Sequence, residues 1–230
     1  MAFSRTTTPA PRPDGPTLTA NMAGIGMNFA AAPNQTVNIE DTLIHASELG
    51  MDDNDLRVLS VLTTWLGVHH AYVNADRLVR VVSEHPSQRV RAYWSAIAAW
   101  LVKDRRLARL TANYKGPAIE LLPVGTQFQI ARRGEDERFA GSTLRAPAGA
   151  LRDRLADVLS PESLARLHAG YAHRVRIGPS WRADVWTILE REPDLRVSEV
   201  ARRAYCSFAT AWQVTHDFRL LQQAHEPDAR

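Results

Sequence analysis

Residues 207–216 place hydrogen-bonding and apolar side chains at the outward positions of one predicted helix. These positions hold Ser207, Phe208, Ala209, Thr210, Gln213 and His216. A glutamine can pair with adenine through two hydrogen bonds, serine and threonine can reach bases or phosphates, and alanine or phenylalanine can contact the methyl group of thymine. The chemistry that these side chains offer is the recognition of base edges in a groove of DNA.

A helix with such an outward face must pack its other side against a second helix. The inward positions of residues 197–221 have side chains suited to that packing. All six inward positions are apolar or small: Val200, Ala201, Ala204, Cys206, Ala211 and Val214. Ala201 is expected where the two helices cross most closely, since a larger side chain would hold them apart. Ser207 can cap the second helix by accepting a hydrogen bond from one of its first free N–H groups. We therefore predict two short helices joined by a tight turn.

Residues 197–221 resemble the helix-turn-helix DNA-binding unit of bacterial transcriptional regulators. The resemblance implies that the second helix enters the major groove, while Arg202 and Arg203 on the preceding helix contact phosphates, which position the protein without specifying sequence. Such units usually carry glycine in the turn, where this chain has Tyr205. A tyrosine there must either adopt a left-handed conformation at some cost or change the turn.

A second group of cations lies earlier in the chain and follows an acidic stretch. Residues 38–84 hold eight acidic and three basic side chains, whereas residues 85–115 hold one acidic and seven basic ones. Further phosphate contacts are predicted at Arg89, Arg91, Lys103, Arg105, Arg106, Arg109 and Lys115. A solvated charged face, with cations placed favourably at a helix C-terminus, explains the same pattern without DNA.

The order of elements in residues 53–122 resembles a winged helix. Three predicted helices are followed by two short extended runs around residues 113–116, a composition typical of a hairpin turn. The third helix should then show Arg89, Arg91, Tyr93 and Ser95 on or near its exposed side. Residues 128–133 are a candidate strand within residues 123–147, whose role the pattern does not define.

The predicted fold class is mainly α, with two winged-helix-like units that carry small β-hairpins and are joined by an amphipathic helical pair. The predicted domains are a disordered tail at 1–37, an N-terminal winged-helix-like domain at 38–145, a helical connector at 146–176 and a C-terminal helix-turn-helix domain at 177–230. The tail prediction rests on a leader rich in proline and threonine with few large apolar residues.

Motifs for other chemistry are missing from the sequence. It has no GxxxxGK[ST], GxGxxG, GxSxG or HExxH segment, so we expect no enzyme activity and no cofactor. His69 and His70 are adjacent and would point in different directions on a helix, so we expect no metal site. The single cysteine, Cys206, is predicted to be buried and cannot form an internal disulfide, which fits a cytoplasmic protein. No run of 18 apolar residues is present to span a membrane.

The leading interpretation is a cytoplasmic protein that binds double-stranded DNA with sequence specificity, as a bacterial transcriptional regulator does. The arrangement is also loosely similar to the winged-helix antitoxins of bacterial toxin–antitoxin pairs, which bind their own operator. The alternative is a winged-helix adaptor that docks protein partners without specific DNA recognition. The sequence does not decide whether the chain acts as a homodimer or with another protein.

Overall fold

A computed structural model describes residues 11–225, which form eleven α-helices, three short 3-10 helices and one sheet of two strands. The α-helices are α1 Gly15–Gly24, α2 Ile39–Met51, α3 Leu56–His69, α4 Ala75–Glu84, α5 Gln88–Trp100, α6 Thr126–Arg133, α7 Pro161–Leu167, α8 Ala169–Ile177, α9 Trp181–Arg191, α10 Val197–Arg203 and α11 Phe208–His225. The 3-10 helices are His70–Tyr72, Leu107–Asn113 and Leu155–Asp157, and the strands are β1 Ile119–Glu120 and β2 Leu144–Arg145. The mainly helical class is confirmed.

We call α1 to α8 the helical body; all of these helices except α6 contribute side chains to one hydrophobic core. Polar side chains start its main helices as the sequence indicates: Asp55 accepts from the backbone of α3, and Ser87 accepts from Val90 N at the start of α5. The largest enclosed side chains are those of Trp65 and Trp94. Caps and apolar spacing therefore account for the local helices of the body, and burial of the large aromatic side chains joins them.

Helix α5 is enclosed by the body, so the winged-helix arrangement predicted for residues 53–122 is not found. Tyr93 and Ser95, which we expected near an exposed side, are both buried. The hydroxyl of Tyr93 lies 3.1 Å from that of Thr63 on α3. The 3-10 helix Leu107–Asn113 packs along α5. A helix covered in this way has no free face to place in a DNA groove.

The predicted β-hairpin is also wrong, because residues 107–113 are helical and β1 pairs with a distant strand. Strands β1 and β2 run parallel, with Ile119 opposite Leu144. Two parallel strands need a crossover connection. Helix α6 lies in the connection between β1 and β2, and it includes residues 128–133, which we predicted to be a strand. At the expected turn, the Tyr114 hydroxyl donates to the carbonyl of Pro117 at 2.7 Å. The Tyr114 side chain lies against Gly116, where a Cβ would be 2.4 Å from the hydroxyl oxygen.

The prediction of a disordered tail at 1–37 is wrong from Gly15 onward; residues 1–10 lie outside the described part of the chain. Asp14 caps α1 by accepting from Thr17 N. Helix α1 and the residues after it bury Leu18, Met22 and Ile25 in the body. The carbonyl of Ile25 also accepts a hydrogen bond of 2.7 Å from Trp65 Nε1. A few well-spaced apolar residues thus anchor a segment whose overall composition suggests disorder.

Helices α9, α10 and α11 enclose a separate, smaller core and form a three-helix unit, which we call the helix-turn-helix unit because a turn joins α10 to α11. Its buried residues include Val185, Leu189 and Phe218. Helix α8 packs on α9 and so joins the unit to the body. The predicted connector is only partly helical: Ser160 caps α7 with Pro161 in its first turn, but Leu155 lies in a 3-10 helix and is exposed.

Candidate nucleic-acid interface

Helices α10 and α11 meet at their small side chains in the manner that the sequence predicts. Five of the six inward positions are buried, namely Val200, Ala201, Ala204, Ala211 and Val214. The exception is Cys206, which is half-buried rather than buried. The close crossing of the two helices fixes the direction in which the outer face of α11 points.

The turn between the two helices contains Tyr205 in the left-handed region, with φ of +54°. The tyrosine therefore takes the first of the two predicted courses. Its hydroxyl donates a 2.9 Å hydrogen bond to Asp41 Oδ2 on α2, and the Arg77 guanidinium lies over its ring, 3.4 Å from the centroid. These two contacts with the body stabilise a turn whose backbone conformation is unfavourable for a tyrosine.

Ser207 caps α11 as expected, since its Oγ accepts from Thr210 N at 3.1 Å. The hydroxyls of Ser207 and Thr210 also lie 2.8 Å apart and share a hydrogen bond. Both side chains are half-buried. In this conformation, two of the predicted base-reading groups stabilise the start of the helix.

The remaining predicted base-reading residues share the exposed side of α11. Phe208 is 52 % exposed, and Ala209, Gln213 and His216 are exposed with it. Gln213 Nε2 donates to Asp217 Oδ1 at 3.1 Å, and its amide oxygen forms no hydrogen bond within residues 11–225. The structure thus brings an amide, an imidazole and an aromatic ring onto one helix surface.

Trp212 belongs to this surface as well. It is 52 % exposed and stacks on His216 with 5.7 Å between ring centroids and 7° between planes. Its place could have been read from the sequence, because position 212 lies four residues from both Phe208 and His216, and residues four apart share a helix face.

Arg202 and Arg203 both form ion pairs with acidic neighbours on the surface. Arg202 Nε donates to Glu199 Oε2 at 2.9 Å, and Arg203 Nε donates to Glu199 Oε1 at 2.7 Å. Arg203 also contacts Glu192 at 2.6 Å. Hydrogen bonds from these two arginines lower the pKa of Glu199 to about 2. Glu199 therefore stays ionised and offsets part of the positive charge that phosphates would meet.

Two other arginines of the unit were not among the predicted contacts. Arg196 and Arg219 are exposed, and neither forms an ion pair within residues 11–225. Arg219 follows Trp212 by seven residues and His216 by three, which puts it on the same side of α11. The helical spacing that located Trp212 could have located Arg219 too.

Two cations of the predicted N-terminal block hold segments of the body together. Arg89 donates to the carbonyls of Met51 at 2.7 Å, Glu120 at 3.3 Å and Leu121 at 3.2 Å. Arg106 donates to Asp104 and, at 3.2 Å, to the carbonyl of His70. Their charges bind backbone carbonyls and a local carboxylate.

The other cations of the block differ in burial and in whether a carboxylate pairs with them. Arg91 is half-buried, and its Nε is enclosed without a hydrogen bond in the described structure. Arg109 is paired with Asp76. Lys103, Arg105 and Lys115 are exposed and form no ion pair among the residues described. Three cations of the block therefore remain available to an external anion.

A buried ionic network fixes the helix-turn-helix unit to the body, and sequence reasoning missed it. Arg174 on α8 contacts Glu40 Oε1 on α2 at 2.6 Å and Asp184 Oδ1 on α9 at 2.7 Å. Asn74 donates to both acids, from its backbone N to Glu40 Oε1 at 2.9 Å and from Nδ2 to Asp184 Oδ2 at 3.1 Å. Arg174 and Glu40, which contact each other directly, are 134 residues apart, so no local spacing pattern could show the network.

The network shifts the pKa values of its acids in opposite directions. Burial raises the pKa of Asp184, and Arg174 opposes this only in part. Burial acts in the same sense on Glu40, but the charges and hydrogen bonds of Arg174, with help from Arg77, outweigh it and lower the pKa of that carboxyl. Glu40 is therefore the ionised partner that Arg174 requires.

Comparisons with known proteins give no family to compare these features with: no protein-family model, no curated protein and no solved structure matches the chain. Within residues 11–225 no group of three or more histidine, cysteine or acidic side chains is arranged to hold a metal ion. None of the described helices combines the length and the apolar character needed to cross a membrane.

Proposed function

We propose that this protein binds double-stranded DNA with sequence specificity by placing α11 in the major groove. The observation that carries the proposal is the exposed face of α11, on which Gln213 and His216 offer hydrogen-bonding groups beside the rings of Phe208 and Trp212. Glutamine is suited to adenine, and aromatic carbons to the thymine methyl group. We infer that Arg196, Arg202 and Arg219 supply the nearest phosphate contacts, which hold α11 in register.

The test is selection of bound fragments from a random DNA pool, followed by fluorescence-anisotropy titration of the enriched sequence. Gln213→Ala should weaken binding to that sequence by about 1–3 kcal/mol and relax the preference at one base position. Gln222→Ala is the matched control, since Gln222 is exposed on the same helix but lies beyond the predicted reading positions. An antitoxin-type autoregulator would show its highest affinity for its own promoter.

The result that would reject the proposal is binding that is absent, or equal for all sequences, at physiological salt. A motif that stays unchanged in Gln213→Ala would reject direct readout by that residue while leaving DNA binding intact. Ser207→Ala should weaken binding indirectly through loss of the cap on α11, which helix content measured by circular dichroism would reveal.

The adaptor function has an observation in its favour, because α11 also exposes apolar side chains beyond the reading positions. Leu220 is 55 % exposed and Leu221 43 %, and both lie after the reading positions, near the end of α11. Amphipathic helices with such anchors dock into apolar grooves of partners. Self-association in sedimentation experiments that Trp212→Ala abolishes, in a protein that does not select DNA, would favour this function.

A further inference from the structure

We propose that the cleft between the helical body and the helix-turn-helix unit binds a small monocarboxylate with an apolar body. The cleft has a volume of about 340 Å³. Its body side is formed by residues 36–39 with His168 and Gly170, and its other side by residues of α9 and α10. Clefts of a few hundred Å³ at domain interfaces are typical sites for small molecules.

Arg191 is the group that selects an anion. It lines the cleft, and its one hydrogen bond in the described structure runs from Nη2 to the carbonyl of Gln35 at 3.3 Å. It forms no ion pair with any carboxylate of residues 11–225. A guanidinium carries five N–H donors in a planar fork that matches a carboxylate. Most of these donors are therefore free for a ligand.

The other two arginines of the cleft already have partners inside the protein. Arg174 is held by Glu40 and Asp184, and Arg203 by Glu192 and Glu199. One guanidinium thus remains for the ligand. Glu192 and Asp184 also line the cleft, and because like charges repel, a ligand with a single negative charge is favoured over a doubly charged phosphate.

Apolar atoms beside Arg191 define the rest of the ligand. Val37 and Ile188 are half-buried and lie on opposite sides of the cleft, with the buried Ile39 next to them. The hydroxyl of Thr187 is already committed to the carbonyl of Ala183 at 2.8 Å. The apolar side chains on both sides of the cleft suit a ligand with an apolar body, with its carboxylate directed to Arg191.

A ligand in this position would touch the segment before α2 and helix α9 at once. Binding would therefore stabilise the contact between the body and the helix-turn-helix unit by mass action. This consequence follows from the position of the cleft and does not depend on DNA binding.

The experiment uses the full chain without DNA and two pairs of probes, hexanoate with hexanamide and benzoate with benzamide. Each amide has the shape of its acid without the charge. Isothermal titration calorimetry and thermal unfolding at constant ionic strength should show saturable binding and a raised midpoint for at least one acid, and neither effect for the amides. Arg191→Gln should weaken the binding of that acid at least about tenfold, as expected for loss of a charge-assisted bidentate contact.

Arg182→Gln is the control, because Arg182 lies on the same helix, is exposed and pairs with Asp217 away from the cleft. It should bind the acid as the unaltered chain does. The proposal is overturned if neither acid binds saturably, if an amide binds as well as its acid, or if Arg191→Gln binds as tightly as Arg182→Gln. Because no step involves DNA, these outcomes are separate from those that test the proposed function.

Discussion

The hydroxyl of Tyr205, in the turn of the helix-turn-helix unit, donates a 2.9 Å hydrogen bond to Asp41 on α2 of the helical body. Arg77 pairs with the same carboxylate and covers the tyrosine ring. A residue that is unusual in such a turn is thus the residue that attaches the turn to the rest of the molecule. The position of α11 therefore depends on the body as well as on α10.

We expect Tyr205→Phe to lower the free energy of unfolding by about 1.5–3 kcal/mol, the usual contribution of a hydrogen bond to a charged group. The ring can still lie against Arg77, so the loss reports the hydroxyl alone. Urea denaturation followed by circular dichroism measures it. Tyr72→Phe is the control, because the Tyr72 side chain is half-buried and its hydroxyl makes no hydrogen bond within residues 11–225. Equal effects of the two changes would contradict this account.

We expect Arg174→Met to cost about 3–5 kcal/mol of stability, because it leaves Glu40 and Asp184 in the interior without their common partner. Arg176→Met on the same helix is the matched control, and since Arg176 is exposed its effect should stay within about 0.5 kcal/mol. The measurement is again urea denaturation at neutral pH. A loss below about 1 kcal/mol for Arg174→Met would show that the network does not hold the two parts together.

Stability should fall with decreasing pH because of two buried histidines. Burial lowers the pKa of His69 to about 4 and that of His168 to about 4, from an ordinary value of 6.5. The unfolded chain therefore binds protons that the folded chain refuses. The stabilisation is complete above pH 6.5 and is lost as the pH falls from there towards 4, with a slope near pH 5 of up to about 1.4 kcal/mol per pH unit for each histidine.

His168→Asn isolates one of these contributions. His168 Nδ1 accepts from Tyr171 N at 3.1 Å and caps α8, while Nε2 donates to the carbonyl of Val37. An asparagine can supply the cap but does not titrate in this range. The slope of unfolding free energy against pH should drop by about half between pH 6.5 and 4, as measured by denaturant titrations at several pH values. An unchanged slope would mean that His168 is not the group responsible.

The helix-turn-helix unit could be predicted because its determinants lie within 25 consecutive residues. Small residues at a fixed spacing and a serine cap are local features, and the structure has both the buried small residues and the cap. The caps at Asp55, Ser87 and Ser160 are local features of the same kind. Local propensity and local hydrogen bonds largely decide these elements.

The arrangement of the body could not be predicted, because its determinants are distant in sequence. A basic residue in a charged stretch looks the same whether it faces solvent or, as Arg89 does, binds three carbonyls of two other segments. The parallel pairing of β1 with β2 depends on residues 25 apart, which a local turn pattern represents wrongly as a hairpin. Likewise, α1 is ordered because Leu18 and Met22 are buried against other helices. The amino-acid composition of the segment does not show which residues will be buried.

The salt dependence of DNA binding should distinguish a single reading surface from two. We expect Arg219→Ala, which removes an exposed cation from the outer side of α11, to reduce the slope of log affinity against log salt by about 0.9. A combined Lys103, Arg105 and Lys115→Ala variant should leave the slope unchanged, since α5 is enclosed and the body offers no groove-reading helix beside these cations. Anisotropy titrations at several salt concentrations measure both slopes, with Arg132→Ala as a control for loss of an exposed arginine of the body. If the slope of the combined variant instead falls by about three, the helical body also contacts DNA phosphates. The basic block from Arg89 to Lys115 would then bind DNA together with α11.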